Sequence, residues 1–303
     1  MLFAKRHLDY PHIKRFFTRT PKFRWQASIV VENRGFVGRY RVRPGSDVDL
    51  NSWDPDDTSG CDGNEARAQA RFAALTRDLG QLQDRLYASH EHKLLIVLQA
   101  MDTGGKDGTI RKVFQDADPQ GLRVVSFKVP NAEEREYDYL WRVHKQVPRR
   151  GEMVIFNRSH YEDVVAARVH RLVPARVWGR RFAQINDFER MLSEEGVIVI
   201  KFFLHISKRE QKSRLQARLD DPDKRWKFNP DDLKDRKRWP AYMRAYGDAI
   251  SKTASGWAPW YIVPADHKWY RNLAVAAIMV DTLQGLNMRY PQPTYDPSEI
   301  RID

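Results

Sequence analysis

The chain has 303 residues, 42% of them hydrophobic, with nine tryptophans and 14 phenylalanines; this is enough apolar material for a packed core and argues against wholesale disorder. Its longest apolar run, residues 273–280, is well short of the ~18 residues that cross a bilayer, and a single cysteine, Cys61, excludes an internal disulfide and suits a reducing cytoplasm. The net charge of +12 is uneven: residues 1–43 hold eleven Lys and Arg against Asp9 and Glu32, leaving only about +3 for the rest, so the chain is not a uniform nucleic-acid binder.

Residues 1–39 read as a basic N-terminal extension. A flexible extension, or a start codon placed too early, is preferred to an organelle-targeting peptide, because Pro11 and Pro21 interrupt the helical pattern. Residues 40–60, rich in Pro, Gly, Asp and Ser, form an extended lead-in. Phe72, Leu75, Leu79, Leu82 and Leu86 then recur every three or four residues, which predicts an amphipathic helix over 65–87. Strands follow at 93–99, 123–127, 153–156, 197–204 and 260–263, separated by helices at 105–117, 132–146, 176–195 and 239–253 and closed by one near 270–286. Apolar strands alternating with helices predict an α/β fold: a five-stranded parallel sheet with helices on both faces, making residues 40–303 one domain. In such sheets ligands bind beyond the carboxyl ends of the strands.

After the first strand comes Ala100-Met101-Asp102-Thr103-Gly104-Gly105-Lys106-Asp107-Gly108. Strand, glycine turn and helix are the context of a P-loop, in which backbone N–H groups wrap phosphate and a lysine supplies charge. Ala100 replaces the usual first glycine and Asp107 the usual Ser/Thr, with Asp102 available as a magnesium-directed oxygen. After the third strand comes Asn157-Arg158-Ser159-His160-Tyr161-Glu162-Asp163, in the position of a Walker B segment. Arg158 is placed to span phosphates; Glu162 and Asp163 are placed to take metal, water or a nucleotide group, while Ser159 and Glu162 also fit a helix-capping box. Lys128 follows the second strand, and Asp266, Lys268 and Arg271 follow the fifth. After the fourth, Arg214 and Arg218 share a helix face with Gln211 in a basic, aromatic-punctuated insertion over about 206–238 that includes Trp226 and Lys227; in kinases of this layout a helical lid occupies that position. The nine histidines show no H-x-x-x-H or H-E-x-x-H spacing, which argues against a zinc site.

The A-x-D-x-x-G-K-D-G run at 100–108 and the N-R-S-x-Y-E-D run at 157–163 resemble the two phosphate-site motifs of family-2 polyphosphate kinases. Residues 201–228 and 258–272 resemble that family in kind, so the resemblance runs from about Tyr40 to the C-terminus. It implies a P-loop kinase-like fold and a reversible phosphoryl transfer from inorganic polyphosphate to ADP or AMP, Glu162-Asp163 resembling the subgroup that accepts both. It implies that Lys106 and the amides of Gly104, Gly105 and Gly108 hold the transferred phosphate, that Asp102 directs Mg2+ (or Mn2+) or positions the attacking oxygen, and that Arg158 neutralises charge. Asn157, Glu162 and Asp163 would contact phosphate or nucleotide, and Arg168, Arg214, Arg218, Lys268 and Arg271, with Lys128 and Lys227, would line the polyphosphate path. The partners implied are polyphosphate and adenine nucleotides, with guanine nucleotides as a further option, in a cytoplasmic homo-oligomer with no membrane and no specific nucleic-acid partner. Two alternatives stay open at this point: an ATP-dependent nucleotide kinase of the same fold, and a nucleic-acid-binding protein acting through the basic arm.

Overall fold

The computed structural model describes residues 31–61 and 64–302. Most of the expected N-terminal extension lies outside them. Its end does not: Val31–Gly38 forms helix α1, with Phe36 and Val37 buried. Phe36 packs edge-on against Tyr40 and Tyr270, with ring centroids 5.5 and 6.1 Å away, and Arg71 lies 4.7 Å over its ring. An apolar pair from the end of the basic segment thus joins the core of the domain.

Among the described residues, five strands form one parallel sheet in the order β2-β3-β1-β4-β5: β1 (Lys93–Ala100), β2 (Leu122–Ser126), β3 (Met153–Asn157), β4 (Val197–His205) and β5 (Trp260–Pro264). Each falls within one residue of its expected position. Leu94 to Leu98 are fully buried, as a strand covered on both faces requires. One helical layer contains α2 (Glu65–Ser89), α3 (Lys106–Val113) and α11 (Lys268–Gln284), with α1 also packed on α11. The other contains α6 (Ala166–Val169), α7 (Ala175–Glu194) and α10 (Trp239–Thr253). In α2 the Asn64 side chain caps the start by accepting from Arg67 N at 3.0 Å, and Leu75, Leu79, Leu82 and Leu86 are buried as their spacing predicts. The lead-in runs antiparallel along β5, through Val42 N to Trp260 O and Ile262 N to Tyr40 O at 2.9 Å each.

The single helix expected over 132–146 is instead two short ones, α4 (Ala132–Glu136) and α5 (Trp141–His144). The break has a local cause. Asp138 Oδ1 accepts from the backbone of Leu140 and Trp141 at 2.9 and 3.1 Å, a turn-forming alternative to a helix interior, and Tyr137 stacks on Trp141 at 4.0 Å. The insertion after β4 is helical, as expected: α8 (Lys208–Asp220), a 3-10 segment (Pro222–Lys227) and α9 (Asp231–Lys237). None of the described helices is long and apolar enough to cross a membrane.

His205, at the end of β4, is buried and its pKa is lowered, chiefly by that burial; His92 is lowered for the same reason. The unfolded chain takes up these protons first, so the stability they contribute is complete above about pH 6.5 and is lost as pH falls below it. Between pH 7 and 5 the loss from His205 is at most about 2 kcal/mol. Glu162 and Asp163, raised by burial, act in the opposite sense, so the comparison must be made against a variant. In urea unfolding, His205→Gln is expected to lose less stability than the native chain over that interval; equal losses would refute the assignment.

Candidate active site

The P-loop leaves β1 at the middle of the sheet, at the carboxyl end of the strand, where open parallel sheets bind their ligands. Backbone hydrogen bonding shapes it: Gly104 N bonds Met101 O at 2.9 Å, and Thr103 and Gly105 adopt left-handed φ of 61° and 101°. A Cβ on Gly105 would lie 1.9 Å from Arg271 Nη1, so only glycine suits this position. Gly105 caps α3 without a side-chain hydrogen bond, leaving the first-turn amides to meet an anion. Lys106 Nζ rests 3.3 Å from Ala100 O. Burial lowers its pKa and Arg158 lowers it further, while Asp102, Glu162 and Asp107 pull it back; a bound phosphate would favour the ammonium in the same sense as those carboxylates.

β3 delivers the second cluster beside the first, because Asn157 is in register with Leu98 of β1. Asn157 Nδ2 donates to Asp107 Oδ1 at 2.6 Å, which leaves its carbonyl oxygen as the amide's acceptor. Arg158 bends back at φ 61° and bonds Asp102 Oδ1 at 2.9 Å. Burial alone would lower the guanidinium's pKa, but Glu162 and Asp102 raise it, so it is always charged. The Gln99 amide nitrogen donates to Glu162 Oε1 at 2.9 Å, and its oxygen accepts from Ser159 Oγ and N at 3.1 Å each. Burial raises the Glu162 pKa against the pull of Arg158 and Lys106. Asp163 is turned away, accepting from Arg181 at 3.4 Å with Arg142 at 3.9 Å.

The basic residues of the expected polyphosphate path divide into two groups. Arg214 and Arg271 lie against the P-loop. Arg214 bonds Thr103 O, Ala265 O, Asp266 O and Glu210 Oε1 at 3.0, 2.5, 3.0 and 2.7 Å, so most of its five donors hold protein together. Arg271 is tethered to Asn272 Oδ1 at 2.8 Å, and burial with Arg214 beside it brings its pKa down to about 9. Arg168, Lys128, Lys227 and Lys268 make no hydrogen bond or ion pair to the P-loop among the described residues. Arg168 pairs with Asp248 and lies 4.5 Å over Trp178. Lys128, Lys227 and Lys268 are exposed, and Lys227 lies 4.9 Å over Trp226. Arg218 bonds Lys227 O at 3.0 Å and pairs with Asp232 at 3.7 Å.

Sequence reasoning missed three site residues. Gln99 was legible only as a strand position, and Asp107 only as the residue in the place of the usual P-loop Ser/Thr. Asp232, on α9, faces the P-loop: burial and then Asp102 push its pKa up to about 6, against Arg218 and Arg158. From α8, Gln211 Nε2 bonds Asp102 O at 3.1 Å, so the insertion is in direct contact with the phosphate loop.

No group of three or more His, Cys, Asp or Glu among the described residues is arranged to hold a metal ion. The donors present are hard oxygens: the Asp102 carboxylate, the Asn157 side-chain carbonyl and the buried, unpartnered Thr103 hydroxyl. That set fits Mg2+ held by one carboxylate and by substrate phosphates rather than by a protein cage.

Residues 62–291 match the family model described as polyphosphate kinase 2 (PPK2). The chain belongs to the PPK2 family. It is therefore a transferase, a polyphosphate kinase, rather than an ATP-dependent kinase of the same fold. It is 56% identical over 265 residues to the AMP/ADP-polyphosphate phosphotransferase of Meiothermus ruber, covering 88% of this chain and 99% of that protein. It is 41% identical over 268 residues to the ADP-polyphosphate phosphotransferase of Rhodopseudomonas palustris, covering 84% and 92%. The crystal structure of polyphosphate kinase 2 from Arthrobacter aurescens TC1 superposes with a TM-score of 0.83 at 44% identity, covering 87% of this chain and 94% of that one. The fold is thus the P-loop kinase-like fold of the PPK2 structures.

Proposed function

We propose that this PPK2 enzyme transfers the terminal phosphoryl group of polyphosphate to both AMP and ADP in the crevice above β1, with Asp102, Lys106 and Arg158 as its catalytic residues. The observation that carries this is the convergence on one point of an α3 N-terminus without a side-chain cap, Lys106, and the Arg158–Asp102 pair. In an in-line transfer, a terminal phosphate oxygen of the nucleotide attacks the end phosphorus of the polymer; that P–O bond breaks, and the polymer leaves one unit shorter. The protein's task is placement and charge neutralisation rather than covalent chemistry. The α3 amides and Lys106 hold the moving group, while Arg158 meets the charge spreading over its oxygens. Arg214 and Arg271 keep the loop in shape from below. Asp102, with Asn157 beside it, would hold Mg2+, which would supply charge neutralisation to the phosphates. Glu162, held by Gln99, faces the nucleotide side of the crevice. The similarity to the Meiothermus ruber enzyme, named for both AMP and ADP, supports the double acceptor range.

Lys128, Arg168, Arg218, Lys227 and Lys268 extend positive charge outward as a track for the polymer, and α8–α9 act as the lid, Arg218 exchanging its contact with Asp232 for phosphate on closure. The place of work is the cytoplasm, and the enzyme acts as a homo-oligomer. Luminescent ATP detection after mixing protein, magnesium and polyphosphate with ADP or with AMP tests the reading: ATP from both acceptors is expected without added adenylate kinase, and ATP from ADP alone would restrict the range to diphosphates. The track also predicts steep salt inhibition, because exposed charges are screened within ~8 Å at physiological ionic strength and ~3 Å at 1 M. The KM for polyphosphate is expected to rise at least about tenfold between 50 mM and 500 mM salt; a flat response would remove the track.

A further inference from the structure

Behind the site lies a fully buried polar network that the transfer chemistry does not use. His160 and Tyr161 stand between Arg158 and Glu162 in the chain, and both turn inward from the crevice, with exposures of 0% and 1%. Both end on one carboxylate of α7: His160 Nε2 lies 3.2 Å, and Tyr161 Oη 2.8 Å, from Glu189 Oε1. The other carboxylate oxygen takes the ammonium of Lys201, from the middle of β4, at 2.5 Å. Lys201 also donates to Tyr161 Oη at 3.0 Å and to Thr253 O at 2.9 Å. Thr253 Oγ1 lies 3.0 Å from Tyr161 Oη and accepts from Trp260 Nε1 at 2.9 Å.

Burial opposes the charge on Glu189, but Lys201 and His160 outweigh it and lower its pKa, so the carboxylate is ionised and acceptor-only. His160 must then present Nε2 as its donor, leaving Nδ1 without a partner. An ionised pair this deep is a poor device for stability alone, since well-packed apolar residues of similar volume often do as well or better. What it supplies is direction. Two adjacent side chains are locked to α7, β4, the end of α10 and β5, while the residues on either side of them, Arg158 and Glu162, face the P-loop. Arg158 needs such support, because its left-handed φ of 61° costs a non-glycine residue on the order of 1–3 kcal/mol unless its surroundings over-determine it.

We propose that His160 and Tyr161, anchored by the Glu189–Lys201 pair, are positioning residues that aim Arg158 at the transferring phosphoryl group. The proposal rests on the role assigned above to Arg158, and a double-mutant cycle separates the two. Tyr161→Phe keeps the ring and removes the hydroxyl that accepts from Lys201 and reaches Glu189. It is expected to lower kcat about tenfold, as small misplacements at a reacting centre do, while the KM for polyphosphate and for nucleotide stays within about twofold and the thermal midpoint shows the protein folded. In an Arg158→Lys background, the same change is expected to cost much less, since the two residues act as one unit. An equal cost in both backgrounds, or an unchanged kcat in a folded Tyr161→Phe protein, overturns the proposal and leaves the network purely structural. Normal turnover by Arg158→Lys and Arg158→Ala alone would instead remove the role of Arg158, a separate failure. His160 gives a second reading should Tyr161→Phe not fold. His160→Gln keeps an N–H donor within reach of Glu189 and should retain kcat, whereas His160→Leu should lose it about tenfold; equal rates from the two would also overturn the proposal.

Discussion

Replacing Lys106 with alanine is expected to remove nearly all phosphoryl transfer from a protein that still folds. The ammonium is the one full positive charge the P-loop itself brings to the phosphate, and in the free chain its only hydrogen bond among the described residues is to Ala100 O at 3.3 Å. Folding therefore depends little on it: burial already works against its charge, as its lowered pKa shows. Transfer depends on it heavily, because charge builds on phosphate oxygens in a site that excludes water. Loss of a single such preorganised donor lowers kcat about 10² to 10³-fold, and loss of a full charge should be at the top of that range. ATP formation from ADP and polyphosphate measures the effect, with thermal unfolding as the control for folding. Turnover within about tenfold of normal would sink the P-loop assignment. The depressed pKa adds a further expectation: Lys106→Arg keeps the charge at every pH but cannot reproduce the compact ammonium, so it should recover only part of the rate.

The second large effect is expected from one added methyl group. Gly105→Ala puts a Cβ 1.9 Å from Arg271 Nη1 and 2.9 Å from its Cζ, at a φ of 101° that L side chains avoid. The backbone strain alone costs on the order of 1–3 kcal/mol. The clash has no easy relief: Arg271 is 3% exposed and is hydrogen-bonded through Nε and Nη2 to Asn272, with the Arg214 guanidinium close by. The loop must move instead, and a shift near 1 Å costs about 10² in rate. Gly105→Ala is thus expected to lower kcat by about two orders of magnitude while reducing the thermal midpoint by several degrees. A Gly104→Ala control meets Ala100 Cβ at 2.5 Å and Met101 O at 2.8 Å without a positive φ, so it separates crowding from backbone strain. An active, fully stable Gly105→Ala protein would show that the loop is not held in this conformation.

Both changes act where local chain signals were strong, and that is where the sequence was most informative. Strand positions were legible to within one residue because buried parallel strands are short apolar runs bounded by polar turns, a pattern carried by neighbouring residues alone. The glycine turn between β1 and α3 and the N-R-S-x-Y-E-D run after β3 were legible for the same reason. Their placement on one edge followed from the alternation of strands and helices. The break at Asp138 was a local signal too, an aspartate able to bond two following amides, but helical periodicity on both sides masked it.

What the tertiary structure alone decided is which side chains answer one another across the chain. Asp107 meets Asn157 across 50 residues, and Arg214 meets Thr103 across 111; no periodicity or motif spacing encodes such distances. A lone Glu189 on a polar helix or a lone Lys201 in an apolar strand carries no hint of its partner, because a buried charge is tolerated only once another element supplies its counter-charge. The same physics divides the arginines. Arg214 and Arg218 sit four residues apart on one helix face and read alike in sequence, yet packing directs the first into the carbonyls beneath the P-loop and leaves the second at Lys227 and Asp232 near the mouth. Composition and pattern determined a parallel α/β sheet and the ends of the strands that build its site, and the resemblance of two motifs to family-2 polyphosphate kinases made it a P-loop kinase. The packing of distant elements determined which charges are held for support and which stay within reach of a phosphate chain, because hydrogen-bond satisfaction in a buried interior is a property of the whole fold.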